Sequence, residues 1–218
     1  AIEIIVVPPP PIASKVYWAF GGTQYMSLDN VSRSFGITWA TGELFFSTMQ
    51  PSQVDRTTDF SSYSTLVHEL AHALGMSHSG TITGAYGSPW DAVSSSNQRP
   101  MPDRYIGMPY GLNGFHKVQM GWLPASKTIT LAEWSTPKTI PLERLNLPQG
   151  PGAQFLKLPL EQGSAKYYAI ELRQHVGYDH YLNFEGFVLH TVDPSKYDNQ
   201  AIALDDDGDG SMEFDRSG

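Results

Sequence analysis

Three histidines and a glutamate stand at fixed intervals in a short stretch of the chain: His68, Glu69, His72 and His78, with Gly75 between the last two. Residues four apart on a helix lie about 40° from each other around the axis, so His68 and His72 share one edge. Two imidazoles at that spacing with a carboxylate beside them form the zinc-hydrolase pattern. Neutral imidazole nitrogens hold Zn²⁺ at about 2.0–2.1 Å, and three protein ligands leave a fourth position for water. The metal brings the pKa of that water to about 7, so a zinc-bound water becomes a nucleophile at neutral pH. Glu69, about 60–100° off the ligand edge, is expected to act as the base and not as a ligand. It would take the water's proton and pass it to the leaving amine of a peptide bond. The expected set is therefore His68, His72 and His78 as metal ligands, Glu69 as the catalytic base and Zn²⁺ as cofactor.

These side chains need a rigid element under them. Tyr63, Leu66, Val67, Leu70, Ala73 and Leu74 recur at helical spacing, and Asp59 or Ser61 can cap the helix start. Gly75 has no Cβ and suits the left-handed turn that ends a helix, which lets His78 return from another direction. Upstream, residues 2–7 are β-branched and apolar and read as a buried strand, ended by the four prolines Pro8, Pro9, Pro10 and Pro11. Residues 14–20 read as a second strand closed by Gly21 and Gly22, and residues 37–48 as a third extended segment. Residues 79–109 are rich in Gly, Ser, Pro and Asn and read as a long irregular segment. Residues 114–120 read as a short helix stopped by Gly121 and Pro124.

Beyond Lys127 the pattern changes to short strand-forming runs at 128–131, 139–142, 154–158, 167–172 and 186–191, separated by turn signals. They predict an antiparallel β-rich half, arranged as a small sandwich. The expected class is α+β. A mixed sheet with the active-site helix occupies residues 1–124, and a β-rich antiparallel domain occupies residues 125–218.

A chain of 218 residues with 40% hydrophobic content can build a real core. Its formal net charge of −8 speaks against binding nucleic acid or anionic membranes, which call for basic patches. No apolar run approaches the ~20 residues of a membrane span. With no cysteine, a thiol nucleophile or thiolate ligand is excluded. Ala1, Ile2 and Glu3 do not make the charged start of a signal peptide, which fits a processed mature form or an excised domain.

The full motif from His68 to His78 resembles that of the metzincin metallopeptidases. A narrower similarity, to the gametolysin and immune-inhibitor-A type, rests on Tyr86-Gly87-Ser88-Pro89-Trp90-Asp91, Phe115-His116-Lys117, Gly121-Trp122-Leu123 and Tyr167-Tyr168-Ala169-Ile170-Glu171-Leu172-Arg173. Gly177-Tyr178-Asp179 and Gly186-Phe187-Val188-Leu189-His190 extend it in the same order. The resemblance implies a metzincin-like catalytic domain and a secreted zinc endopeptidase acting on protein or peptide substrates. It also implies a methionine in a tight turn beneath the ligands. Val93 stands at that place here, so either Val93 packs in its stead or the turn lies later, at Met101 or Met108.

Residues 42–47 are expected either to pair with an extended substrate as a sheet edge or to form a core strand. Tyr86 and Tyr110 are the tyrosines considered for oxyanion stabilisation. His116, His175, His180 and His190 read as structural or surface residues. Asp91 either orients a ligand histidine or caps a turn, the turn being preferred. Asp205, Asp207, Asp209, Gly210 and Glu213 match positions of a calcium loop, but Arg216 falls where the bidentate glutamate belongs. A solvated acidic tail is the simpler reading there, with Ca²⁺ as the alternative. The competing functional class is a peptidase-fold binding or adhesion module that no longer turns over. The retained Glu69 argues against it.

Overall fold

The computed structural model describes residues 2–7, 19–41, 62–82, 84–86, 88–94, 99–100, 107–108, 110–133, 136–180, 182 and 185–204. It is a mixed α+β structure whose chain contacts gather into two units. One comprises residues 1–76 with 96–109, the other residues 77–95 with 110–218.

In the first unit, β1 (Ile2–Val7), β2 (Ala19–Leu28) and β3 (Val31–Thr41) form a sheet in the order β1-β3-β2. β1 runs parallel to β3, and β2 runs antiparallel to it. β1 lies where its β-branched run predicts. β2 does not: Gly21 and Gly22, expected to end a strand, sit inside one. The reversal comes instead at Asp29 and Asn30, whose φ angles of 51° and 62° are those of a two-residue primed hairpin turn. Asp and Asn tolerate positive φ, so this turn matches the right-handed twist of its strands. The pair β6 (Arg99–Pro100) and β7 (Gly107–Met108) is antiparallel and belongs to the same unit.

The glycines on the sheet seat a helix. Helix α1 (Ser62–Ala73) lies against β2 and β3. Gly21 is paired directly opposite Thr38, and Gly36 lies two residues before Thr38, so all three share one face. A Cβ on Gly21 would overlap the carbonyl of Glu69, and one on Gly36 would overlap the carbonyl of Ala73. The Thr38 hydroxyl donates to the Glu69 carbonyl at 3.2 Å. The helix buries Ala71 and Ala73, whereas Val67, expected on the apolar face, is 37% exposed. Small residues on both partners let the backbones approach. Gly36→Ala is therefore expected to lower stability by about 1–3 kcal/mol through overpacking. Urea unfolding measures it, and a midpoint equal to the parent's would refute the close-approach account.

The second unit holds β4 (Ser79–Thr81), β5 (Gly84–Ala85), helix α2 (Gly114–Gln119), β8 (Thr128–Thr130), β9 (Phe155–Pro159), β10 (Tyr167–Arg173), β11 (Gly186–Val192) and β12 (Ala201–Ala203). The strands make one sheet in the order β5-β4-β12-β11-β10-β9-β8. β9, β10 and β11 run antiparallel as expected; β12, which no predicted run covers, pairs antiparallel with β11, while β4 joins β12 and β8 joins β9 in parallel. The expected sandwich is thus replaced, among the described residues, by a single mixed sheet. Residues 139–142 contribute only an isolated bridge from Leu142 to Ala153. The units also do not divide at Pro124. β4 is captured by β12, and the Gly114 N–H at the start of α2 donates to Glu171 on β10 at 2.5 Å.

Alternation along β10 buries Tyr167, Ala169, Glu171 and Arg173. Phe115, Leu145, Phe155 and Val192 pack with the first two into the main core. A second cluster joins Trp90, Tyr110, Leu182, Val188 and Ala203. α2 is capped by Asn113, whose side-chain oxygen accepts from the His116 N–H at 2.9 Å, and it ends before Gly121 at φ 69°.

Candidate metal centre

α1 stops where its glycine predicts, and the stop does more than turn the chain. Gly75 has φ 94°, its N–H donates to the His72 carbonyl at 2.9 Å, and the Met76 N–H donates to the Ala71 carbonyl at 3.1 Å. This paired closure is the Schellman arrangement. It swings the Met76 carbonyl back toward the helix, where it accepts from His72 Nδ1 at 2.8 Å. A proton held on Nδ1 leaves Nε2 with its lone pair, the form in which imidazole binds a metal.

His78 is fixed in the same chemical state from elsewhere. Its Nδ1 lies 2.9 and 3.0 Å from the two carboxylate oxygens of Asp198, and its backbone N–H donates to the same residue at 2.8 Å. Burial alone would push the Asp198 carboxyl up, but the hydrogen bonds and charge of His78 bring it below the usual aspartate range. His78 Nε2 faces the Tyr86 hydroxyl at 2.9 Å. Tyr86 holds a φ of 68°, a rare conformation for a non-glycine residue.

Nε2 of His68 and Nε2 of His72 stand 3.0 Å apart with their rings nearly perpendicular. Two nitrogens on a tetrahedral zinc would be about 3.3 Å apart, given bonds of about 2.0–2.1 Å. One ligand nitrogen from each of His68, His72 and His78 falls within 4.8 Å of the others. Among the described residues no other set of His, Asp and Glu gathers three ligand atoms in this way. The three imidazoles, two of them with Nδ1 committed to an oxygen, fit Zn²⁺. Glu69 follows His68 on the half-buried part of α1, its backbone held by Thr38 and by the close approach of Gly21.

The other expected site residues separate clearly. Tyr86 is at the cluster, while Tyr110 is 8% exposed and packs in the core with Trp90. Asp91 neither touches a ligand ring nor merely caps a turn. Wholly buried, it accepts from His116 Nδ1 at 2.7 Å, Ser79 Oγ at 2.7 Å and the Asn113 N–H at 3.3 Å. Burial pushes its carboxyl up, and His116, through its charge and hydrogen bond, together with Ser79 and Asn113 outweighs that, leaving the net shift downward. His116 is thus a buried structural partner. His190 is buried on β11, and desolvation holds its pKa below the usual histidine value. His175 and His180 lie near each other, His180 Nδ1 standing 3.2 Å from the His175 carbonyl.

Val93 is fully buried in the turn of residues 91–94, closed by the Ser94 N–H donating to the Asp91 carbonyl at 3.1 Å. Met108 lies in β7, in the other unit. Met101, the candidate edge 42–47 and the acidic residues from Asp205 to Glu213 lie outside the described residues, as do Asp59 and Ser61.

Asp198 was not among the residues the sequence singles out. It is 120 positions from His78, and Tyr197-Asp198-Asn199 reads locally as a polar turn. Comparison of the chain with protein-family models, curated proteins and solved structures yields no match.

Proposed function

We propose that this chain is a zinc-dependent endopeptidase of the metzincin type. The observation that carries the reading is the convergence of His68, His72 and His78, with Nδ1 of His72 and of His78 each facing an oxygen. Zinc bound there supplies Lewis acidity, polarising a carbonyl oxygen and bringing the pKa of a water to about 7. Glu69 takes one proton from the attacking water and returns it to the departing amine nitrogen. The water's oxygen ends in the new carboxyl group as the C–N bond breaks. Tyr86, whose hydroxyl already hydrogen-bonds at His78, is the tyrosine available to donate to the developing oxyanion. Secretion and a protein substrate belong to this same reading.

Metal analysis of the purified protein should find about one zinc per chain, as a three-histidine site requires. Casein or an unstructured polypeptide should be cut, and cleavage should stop with 1,10-phenanthroline and return on adding Zn²⁺. Absence of zinc binding would overturn the reading. Zinc bound without cleavage of any peptide in a diverse library would replace it with the binding-module alternative.

A further inference from the structure

We infer that Asp198 is a positioning residue for the third metal ligand, and that the connection between β11 and β12 exists in this form to hold it there. The inference rests on the zinc reading of the histidine cluster and adds a residue to it.

The observations are geometric. Asp198 meets His78 twice, through the backbone N–H and through ring Nδ1, so one carboxylate fixes both the main chain and the ring of the same residue. The ring contact sets the tautomer: Nδ1 carries the proton, and Nε2 is left as the metal-binding atom. A carboxylate at that position also raises the basicity of the imidazole toward a dication.

The connection that carries Asp198 is braced by hydrogen bonds of its own. The Asp193 N–H donates to the Gln200 carbonyl at 2.8 Å, closing the connection at its base. The Gln200 side-chain amide donates inward to the carbonyls of Pro194 and Lys196, at 3.0 and 2.8 Å. Its oxygen accepts from Ser77 Oγ at 3.0 Å, next to His78 in the chain. Immediately afterwards β12 runs parallel to β4, with Ala201 opposite Ser79, so residues just before Ala201 are carried alongside those just before Ser79. His72 finds its orienting oxygen four residues away on its own helix end, whereas His78 finds its own on a distant connection. The side chain of Asp198 is 41% exposed, so its loss leaves no buried cavity.

The test is Zn²⁺ affinity measured by competition with a chromophoric chelator, on the full chain at neutral pH. Asp198→Ala is expected to weaken Zn²⁺ binding by about 10–100-fold, the usual effect of removing such a partner. Asp198→Asn keeps one acceptor oxygen and should fall between that variant and the parent. In a His78→Ala background, Asp198→Ala should change the affinity by less than about 2-fold, because its target is gone. Parent-like affinity in Asp198→Ala would overturn the inference while leaving the zinc site standing. An equal loss in both backgrounds would also overturn it, by showing a general effect on the fold. Failure of the parent protein to bind Zn²⁺ would remove the zinc reading and this inference together.

Discussion

Glu69→Gln is expected to retain zinc at the parent stoichiometry and to lose about 10²–10⁴-fold in kcat/KM, the range a positioned general base contributes. Glutamine has nearly the same shape as glutamate but cannot take a proton from water at neutral pH. The fold grips the main chain of residue 69. Its carbonyl accepts from Thr38 and lies against Gly21, and neither contact depends on the side-chain carboxylate. The helix should therefore keep its seat, and His68 and His72 should stay 3.0 Å apart. A fluorogenic peptide assay alongside metal analysis separates the two effects. Full turnover by the variant would remove Glu69 from the mechanism. Loss of zinc together with activity would mean that the carboxylate supports the metal, contrary to its placement off the ligand edge.

The gathering of His68, His72 and His78 was legible because its information is local. His68, Glu69 and His72 are set by helical periodicity, and Gly75 by the one backbone conformation that ends a helix in this way. The same locality explains what the sequence withheld. The Met76 carbonyl at His72 is a consequence of the turn's hydrogen-bond closure and of no side chain at all. Asp198 reaches His78 only because β12 joins β4 in parallel, and both strands are three residues long with no pattern to reveal them. Gly21 and Gly22 punctuate a strand in any local reading. The use of Gly21 in the seat for α1 depends on a helix more than forty residues later. Strands β9, β10 and β11 were legible from their β-branched and aromatic residues. The parallel edges were not, because parallel pairing needs long connections that leave no turn signature. Several polar residues beyond the histidine cluster have a structural use of their own. Trp90, Asp91, His116, Glu171, Arg173 and Asp179 are all fully or almost fully buried, and hydrogen bonds link them into two adjoining polar groups.

Arg173→Met should show how much of the second unit depends on the larger of those groups. Each of the five guanidinium N–H donors has an oxygen to meet: Nε and Nη2 fork onto Asp179 at 2.8 and 2.7 Å, and Nη1 donates to Glu171 and to the Trp90 carbonyl at 2.8 Å each. The fifth goes to the Gly111 carbonyl at 3.2 Å. Arg173, Glu171 and Asp179 are wholly buried, so no solvent replaces a missing partner. Burial alone would lower the Arg173 pKa, but the two carboxylates outweigh it and hold the group charged. Methionine fills similar volume without charge and leaves two buried carboxylates with only neutral donors, including the N–H groups of Gly111 and Gly114 and the Asn146 amide. Breaking a buried pair in this way costs about 3–5 kcal/mol, far more than the intact pair contributes over an apolar substitute. Lysine at 173 should recover only part of it, having three donors and no planar fork. Nearby Lys117, its pKa brought down to about 8 by burial and by the charge of Arg173, gives a second readout. Removing Arg173 takes away a repulsion, so the Lys117 pKa should rise in the variant, and Lys117→Met should cost more stability there than in the parent. Urea unfolding of the single and double variants measures both. A single variant within about 1 kcal/mol of the parent would mean that the buried carboxylates find other compensation, since uncompensated they cannot be that cheap. The triple variant with Glu171→Gln and Asp179→Asn should regain much of the loss, because it removes the stranded charges themselves.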